Sequence, residues 1–185
     1  MILIATLVLL LPVYQLTLWE MEMYANQYPE GLRLSIMAYR LDAGNNGNDL
    51  REINILNHYI GMRPLDPTDF AEFKWLPFLV GFFVIFALQT VVLGKVTQLV
   101  DLLVMFTYFG LFSAWSFGYK LYLYGQNLDP MAAVKVPPFM PPLIGHKTLA
   151  NFEVYSFPGL GSYLLAAYPV CLFVAIVLEW RAARR

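Results

Sequence analysis

WLPFLVGFFVIFALQTVVL, residues 75–93, runs from Trp75 to Leu93 without a single charge. A helix that crosses a bilayer needs about 20 mostly apolar residues. Backbone groups in lipid must find partners within their own segment, so such a stretch is a helix. Three more stretches have the same character: Ile2 to Trp19, Leu99 to Tyr124 with Asp101 near its start, and Leu160 to Trp180 with Glu179 at its end. The expected fold is an all-α polytopic membrane protein with four transmembrane helices, at about 2–19, 75–93, 99–124 and 160–180. The first stretch lacks the basic n-region and small-residue cleavage site of a secretory signal, so it reads as a retained anchor.

Composition narrows the function. Of 185 residues 59% are hydrophobic and 14% charged, and the net charge is −1. No basic surface exists to attract phosphate, so nucleic acid is not a partner. The single cysteine, Cys171, excludes a disulfide scaffold and any Cys-cluster zinc site. No Gly-rich phosphate loop occurs, so no nucleotide is expected. No G-x-S-x-G elbow and no C-x-x-C-H haem motif occur either. The two histidines, His58 and His146, lie outside the expected spans, which excludes a bis-histidine haem within the bundle. The chain is not read as an enzyme.

Orientation follows from Lys and Arg beside the spans. Arg181, Arg184 and Arg185 directly follow the last span, and Lys95 lies in the short connection between the second and third. Both termini are therefore expected in the cytoplasm of a bacterial inner membrane. Residues 20–74 and 125–158 then form a small periplasmic cap on a single domain, 1–185. Five cations in the first outer segment oppose this reading, but that loop also carries nine acids, and long loops weigh little.

The cap has its own signals. Leu32, Leu34, Ile36 and Ala38 alternate with Arg33, Ser35, Met37 and Tyr39, the period of a strand. Asp49 is expected to cap a short helix from Leu50 that Gly61 ends in a left-handed conformation. Asp66-Pro67-Thr68-Asp69 reads as another helix start. Val136-Pro-Pro-Phe-Met-Pro-Pro-Leu-Ile-Gly145 reads as an extended Pro-rich strap lying on the first outer segment. Along the third span Gly110, Ala114 and Gly118 form a small-residue stripe, against which a neighbouring helix is expected.

What remains is soft-metal chemistry. His58 and Met62 stand four apart, and six methionines fall outside the spans: 21, 23, 37, 62, 131 and 140. Thioether and imidazole together select copper, Cu(I) above all. The expected metal ligands are His58 and Met62, with Met21, Met23 or Met140 completing a low-coordinate site. Methionine is more commonly a filler of apolar interiors, and His58 at a helix end more commonly seals a loop.

Gln27-Tyr-Pro-Glu-Gly-Leu32, Ile53-Asn-Ile-Leu-Asn-His-Tyr-Ile-Gly-Met62, Pro137-Pro-Phe-Met-Pro-Pro-Leu-Ile-Gly145 and Tyr155-Ser-Phe-Pro158 are more specific. In these stretches the chain resembles a poorly characterised family of bacterial inner-membrane proteins often encoded beside nitrous oxide reductase accessory genes, including its copper lipoprotein. The resemblance covers most of the outer half, and at the place of His146 the family does not reliably carry histidine, which weakens that residue as a ligand. It implies a periplasmic role near copper enzymes or respiratory electron transfer. The expected function is copper handling or assembly for a periplasmic or membrane copper enzyme. The alternative is a non-catalytic accessory subunit of a membrane respiratory or copper-oxygenase complex. A lipid-acting enzyme, lacking any nucleophile or acid–base pair, is the third.

Overall fold

The computed structural model describes residues 8–182. The strands are β1 (Trp19–Ala25), β2 (Tyr28–Ile36), β3 (Leu41–Ala43), β4 (Gly145–Leu149) and β5 (Phe152–Pro158). The helices are α1 (Asn48–Tyr59), α2 (Glu72–Leu93), α3 (Val96–Gln126) and α4 (Leu160–Ala182).

The cap is a β-sheet, which corrects the all-α expectation. Its five strands run antiparallel in the order β3-β2-β1-β5-β4. The residues make this so. Trp19, Met21 and Met23 alternate with Glu20, Glu22 and Tyr24, and Phe152, Val154 and Ser156 with Glu153, Tyr155 and Phe157. A strand sends successive side chains to opposite faces. One face therefore buries Met21, Met23, Leu32, Leu34, Phe152 and Val154, and α1 lays Ile53, Leu56 and Ile60 on it. The other face is polar and pairs Arg33 with Glu22 across β2 and β1.

Among the described residues three helices, not four, are long and apolar enough to cross a membrane: α2, α3 and α4. They match the expected spans to within a few residues. Their outward faces carry Phe78, Ile85, Val92, Leu111 and Phe173, all exposed, as lipid-facing helices require. The expected span 2–19 ends differently. Residues 2–7 lie outside the described part. The helix at Val8–Leu10 tightens into a 3₁₀ turn over Leu11–Tyr14, which includes Pro12, and the chain is extended from Trp19. Leu10 and Val13 are nonetheless fully buried, and Leu10 packs in the bundle with Phe83, Leu102 and Tyr168. The Tyr14 hydroxyl donates to the Pro77 carbonyl at 2.6 Å.

Sheet and bundle are stitched where β1 begins and β5 ends. Gly159 N donates to Leu18 O at 2.9 Å, and Gly161 N to Thr17 O at 2.8 Å. A side chain at Gly159 would sit 2.4 Å from the Thr17 carbonyl, so glycine is needed for this approach. Trp19 donates to Ser156 Oγ at 2.8 Å and sets its ring 4.8 Å from Phe117 of α3.

Among the described residues no helix lies against the stripe on α3. Added methyl groups at Gly110 and Gly118 would meet nothing within 4 Å. Asp49 also departs from expectation. Gly47 stands at the helix cap, and Asp49 lies buried in the first turn. Its carboxylate accepts from Arg33 N at 2.9 Å and Asn45 Nδ2 at 2.7 Å, tying the sheet to α1. Asp66 does cap a turn, a short 3₁₀ segment at Pro67–Asp69, by accepting from Thr68 N at 2.8 Å.

Candidate functional site

The Leu56–Met62 motif has a structural reason. Helix α1 ends at Tyr59, and Gly61 follows with φ +81°. Met62 N donates to Asn57 O at 2.8 Å and Gly61 N to His58 O at 3.1 Å. This pair of bonds is the Schellman motif, which closes a helix end with glycine in the left-handed region. The turn also receives the second outer segment. Asp129 N donates to Gly61 O at 2.8 Å, and Val134 N to Tyr59 O at 3.0 Å. The strap then crosses the end of α3, where Phe139 N donates to Gly125 O at 3.0 Å. A methyl group at Gly125 would lie 2.0 Å from the Phe139 carbonyl oxygen. Val136 and Phe139 pack on the cap core, as expected of a strap.

The reversal at Gly61 separates His58 from Met62. One turn of continuous helix would have placed them on one face. Instead His58 is exposed, while Met62 folds back, partly buried, onto the sheet. There it meets Met21 and Met23, which β1 projects from its inner face at i and i+2. Met21, Met23 and Met62 are among the residues that line one cavity of about 50 Å³ between the sheet, the end of α1 and the top of α3. Its walls are otherwise almost wholly apolar, among them Leu34, Phe117, Leu121 and Phe152.

Three side chains with polar groups break that lining: Asn57, Lys120 and Tyr124. Asn57 is 1% exposed, and neither its Oδ1 nor its Nδ2 has a hydrogen-bond partner. A buried unpaired amide costs about 1–3 kcal/mol. Lys120 stands at the bundle side. Its Nζ donates to Glu72 Oε2 at 2.6 Å and to Asp69 O at 3.2 Å, and lies 4.7 Å from the Phe70 ring centre. Ser116 Oγ adds a donor to Glu72 Oε1 at 3.0 Å.

Of the five expected ligands, the structure brings together Met21, Met23 and Met62. His58 faces outward, and Met140 is 42% exposed on the strap. His146 lies on β4, its ring stacked on Tyr155. Among the described residues no group of three or more His, Cys, Asp or Glu side chains is placed to hold a metal. A metal held within the described cap core would therefore depend on thioethers. Sequence reasoning missed Asn57 as a lining residue. Ile53, Leu56 and Asn57 form the buried stripe of α1, which Ile60 continues just past the helix end, and an amide at such a position is a legible anomaly.

Protein-family models, characterised proteins and solved structures contain no match to this chain.

Proposed function

We propose that this chain is a membrane-anchored copper-handling or assembly factor whose cap holds Cu(I) among Met21, Met23 and Met62, facing the periplasm of a bacterial inner membrane. The observation that carries the reading is that three methionines from two distant segments line one small cavity, beside an amide without a partner. Soft thioether ligands favour Cu(I) over harder ions. The rest of the lining is mainly apolar, apart from Lys120 and Tyr124 at the bundle side. His58 and Met140 lie outside this ligand set. The periplasmic orientation rests on Arg181, Arg184 and Arg185 beyond the last span. The recipient would be a copper enzyme of the periplasm or membrane.

The test is Cu(I) binding by the full chain in detergent, read by competition with a chromogenic chelator. Native protein and His58→Ala should hold the ion equally, and a Met21→Leu/Met23→Leu/Met62→Leu variant should not. Absence of binding by native protein, or equal binding by all three, overturns the reading.

A non-catalytic accessory subunit of a membrane respiratory or copper-oxygenase complex is the second reading. It draws on the outer face of α1, where Ile55, His58 and Tyr59 are all exposed. Co-purification of large redox subunits, lost on His58→Ala/Tyr59→Ala, would favour it.

A further inference from the structure

The cap sheet has an open edge at β4, and the copper reading does not use it. Strand order places β4 last, paired with β5 alone. Among the described residues no backbone bond from another segment reaches its far side. At five residues β4 has the ordinary length of a strand, whereas β3, the opposite edge, has three. Sheets commonly guard such an edge with a bulge, a proline or an outward lysine. β4 pairs without a register shift and contains no proline. Its Lys147 turns toward the strap, where Nζ donates to Met140 O at 3.1 Å. The strap itself passes beneath the sheet, since Ser156 Oγ, on the inner face, donates to Leu143 O at 3.1 Å.

The polar face beside that edge carries a repeated unit. Glu22-Met23-Tyr24 on β1 and Glu153-Val154-Tyr155 on β5 run antiparallel, with Glu22 opposite Tyr155 and Tyr24 opposite Glu153. In each unit the tyrosine hydroxyl donates to the glutamate: Tyr24 to Glu22 Oε2 at 2.8 Å, and Tyr155 to Glu153 Oε2 at 3.0 Å. The two rings meet edge to face at 5.6 Å, and all four side chains line one open hollow. The halves differ in one respect. β2 sets Arg33 opposite Glu22, and its Nε lies 3.4 Å from Oε1. β4 sets Thr148 opposite Glu153, and among the described residues no cation pairs with that carboxylate. Arg40 is held by Asp42 at 3.3 Å.

We propose that an extended, arginine-bearing segment of a partner protein adds to β4 as a sixth strand, with one guanidinium crossing Thr148 to Glu153. Strand addition draws affinity from main-chain hydrogen bonds and specificity from alternate side chains. A residue opposite Thr148 on the added strand stands two strand spacings, about 9.5 Å, from Glu153. Arginine and glutamate side chains together close that gap over a short threonine. Arginine suits the place better than lysine, because a flat guanidinium stacks on tyrosine while it pairs with a carboxylate. Arg33 already makes such a pair with Glu22. A second copy of this chain suits it poorly: β4 has no arginine, and antiparallel self-pairing centred on Lys147 would set like charges opposite each other.

The probe is a short, fluorescently labelled peptide alternating valine and arginine, titrated by anisotropy onto the full chain in non-ionic detergent without metal. Binding to native protein should saturate. Glu153→Gln should weaken it about three- to fivefold, the upper end of what an exposed ion pair contributes. Thr148→Arg gives Glu153 a guanidinium of its own, as β2 gives Glu22, and should weaken binding at least as much. An unchanged melting temperature verifies that both variants are folded. A peptide with glutamate for arginine, and one of the same charge interrupted by prolines, should each bind about tenfold more weakly or worse. Free arginine amide at the probe's concentration should not displace it. No saturable binding, equal binding of either control peptide, displacement by arginine amide, or affinity unchanged in both variants overturns the inference. So does a native chain that is already a dimer dispersed by the probe, which would assign the edge to a second copy. Omitting metal keeps the outcome separate from that of Cu(I) binding.

Discussion

Gly61→Ala is the most informative single change in the cap. At φ +81° an L-residue pays about 1–2 kcal/mol for the left-handed region. The new methyl would also lie 2.8 Å from Asp129 O, 3.0 Å from Asp129 N and 3.0 Å from Ala132 Cβ. Two of those atoms are backbone, so the 127–134 segment must move, breaking the bond from Asp129 N to Gly61 O, worth about 1 kcal/mol. The total is about 2–3 kcal/mol. Gly47→Ala is the matched control: it too has a positive φ, +92°, but nothing within 4 Å, so only the conformational part applies. The assay is amide hydrogen exchange at Asp129 and Val134 in detergent. Gly61→Ala should lower protection there roughly 30- to 150-fold, at tenfold per 1.4 kcal/mol. Gly47→Ala should leave those amides within a few-fold of native. Equal effects of the two substitutions would refute the claim that Gly61 is required by the docking of the second outer segment.

Asn57→Leu should raise thermal stability, by about 1–3 kcal/mol, because an unpaired amide gives way to an apolar group of similar size; a lower melting temperature would mean that the amide is satisfied in the folded protein. Glu72→Gln should destabilise the junction of cap and bundle by about 1.5–3 kcal/mol through loss of a charge-assisted hydrogen bond, and adding Lys120→Met should recover part of that loss in a double-mutant cycle. The Asp66 carboxyl is held below its ordinary 3.8 by donation from Thr68 N and from the Thr68 hydroxyl. Its depressed folded-state value means that its contribution is present above pH 3.8 and is lost as pH falls through the folded value. Local exchange at Thr68 should accelerate over that acid window in native protein and show no such step in Asp66→Asn. A cysteine at Asn46, on the loop before α1, should react with an impermeant thiol reagent once the outer membrane is opened; labelling only after lysis would reverse the topology.

The sequence was most legible where one physical demand dominated. The three long helices were readable to within a few residues, because a bilayer demands a long apolar run and little else imitates one. Gly61 as a helix stop and the Pro-rich stretch as a strap were readable for similar local reasons. The sheet was half hidden. Trp19–Ala25 alternates as cleanly as Leu32–Ala38, but it abuts an apolar run, and the expected span to Trp19 absorbed its first residue. Phe152–Pro158 alternates too, yet its partner, β1, lies far away in sequence. Strand pairing is a long-range fact, and periodicity identifies a strand without naming its neighbour. The site suffered from the opposite error. Spacing four apart suggested that His58 and Met62 share a face, but the helix ends between them. Met21 and Met23 were identified, whereas their meeting with Met62 and Asn57 depends on the sheet lying over α1.

The pairing of β1 with β5 carries a consequence for biogenesis. Roughly 140 residues separate Trp19 from its partner Pro158, and at synthesis rates of about 5–20 residues per second the ribosome takes about 7–28 s to cover them. Through that interval two long hydrophobic helices must be inserted while β1 keeps one edge bare, with Met21 and Met23 beside it. An unpaired strand edge is a template for wrong partners. The nascent cap is therefore at its most vulnerable before the last span is made, and a stalled or truncated chain would present to quality control a half-sheet whose second half does not yet exist.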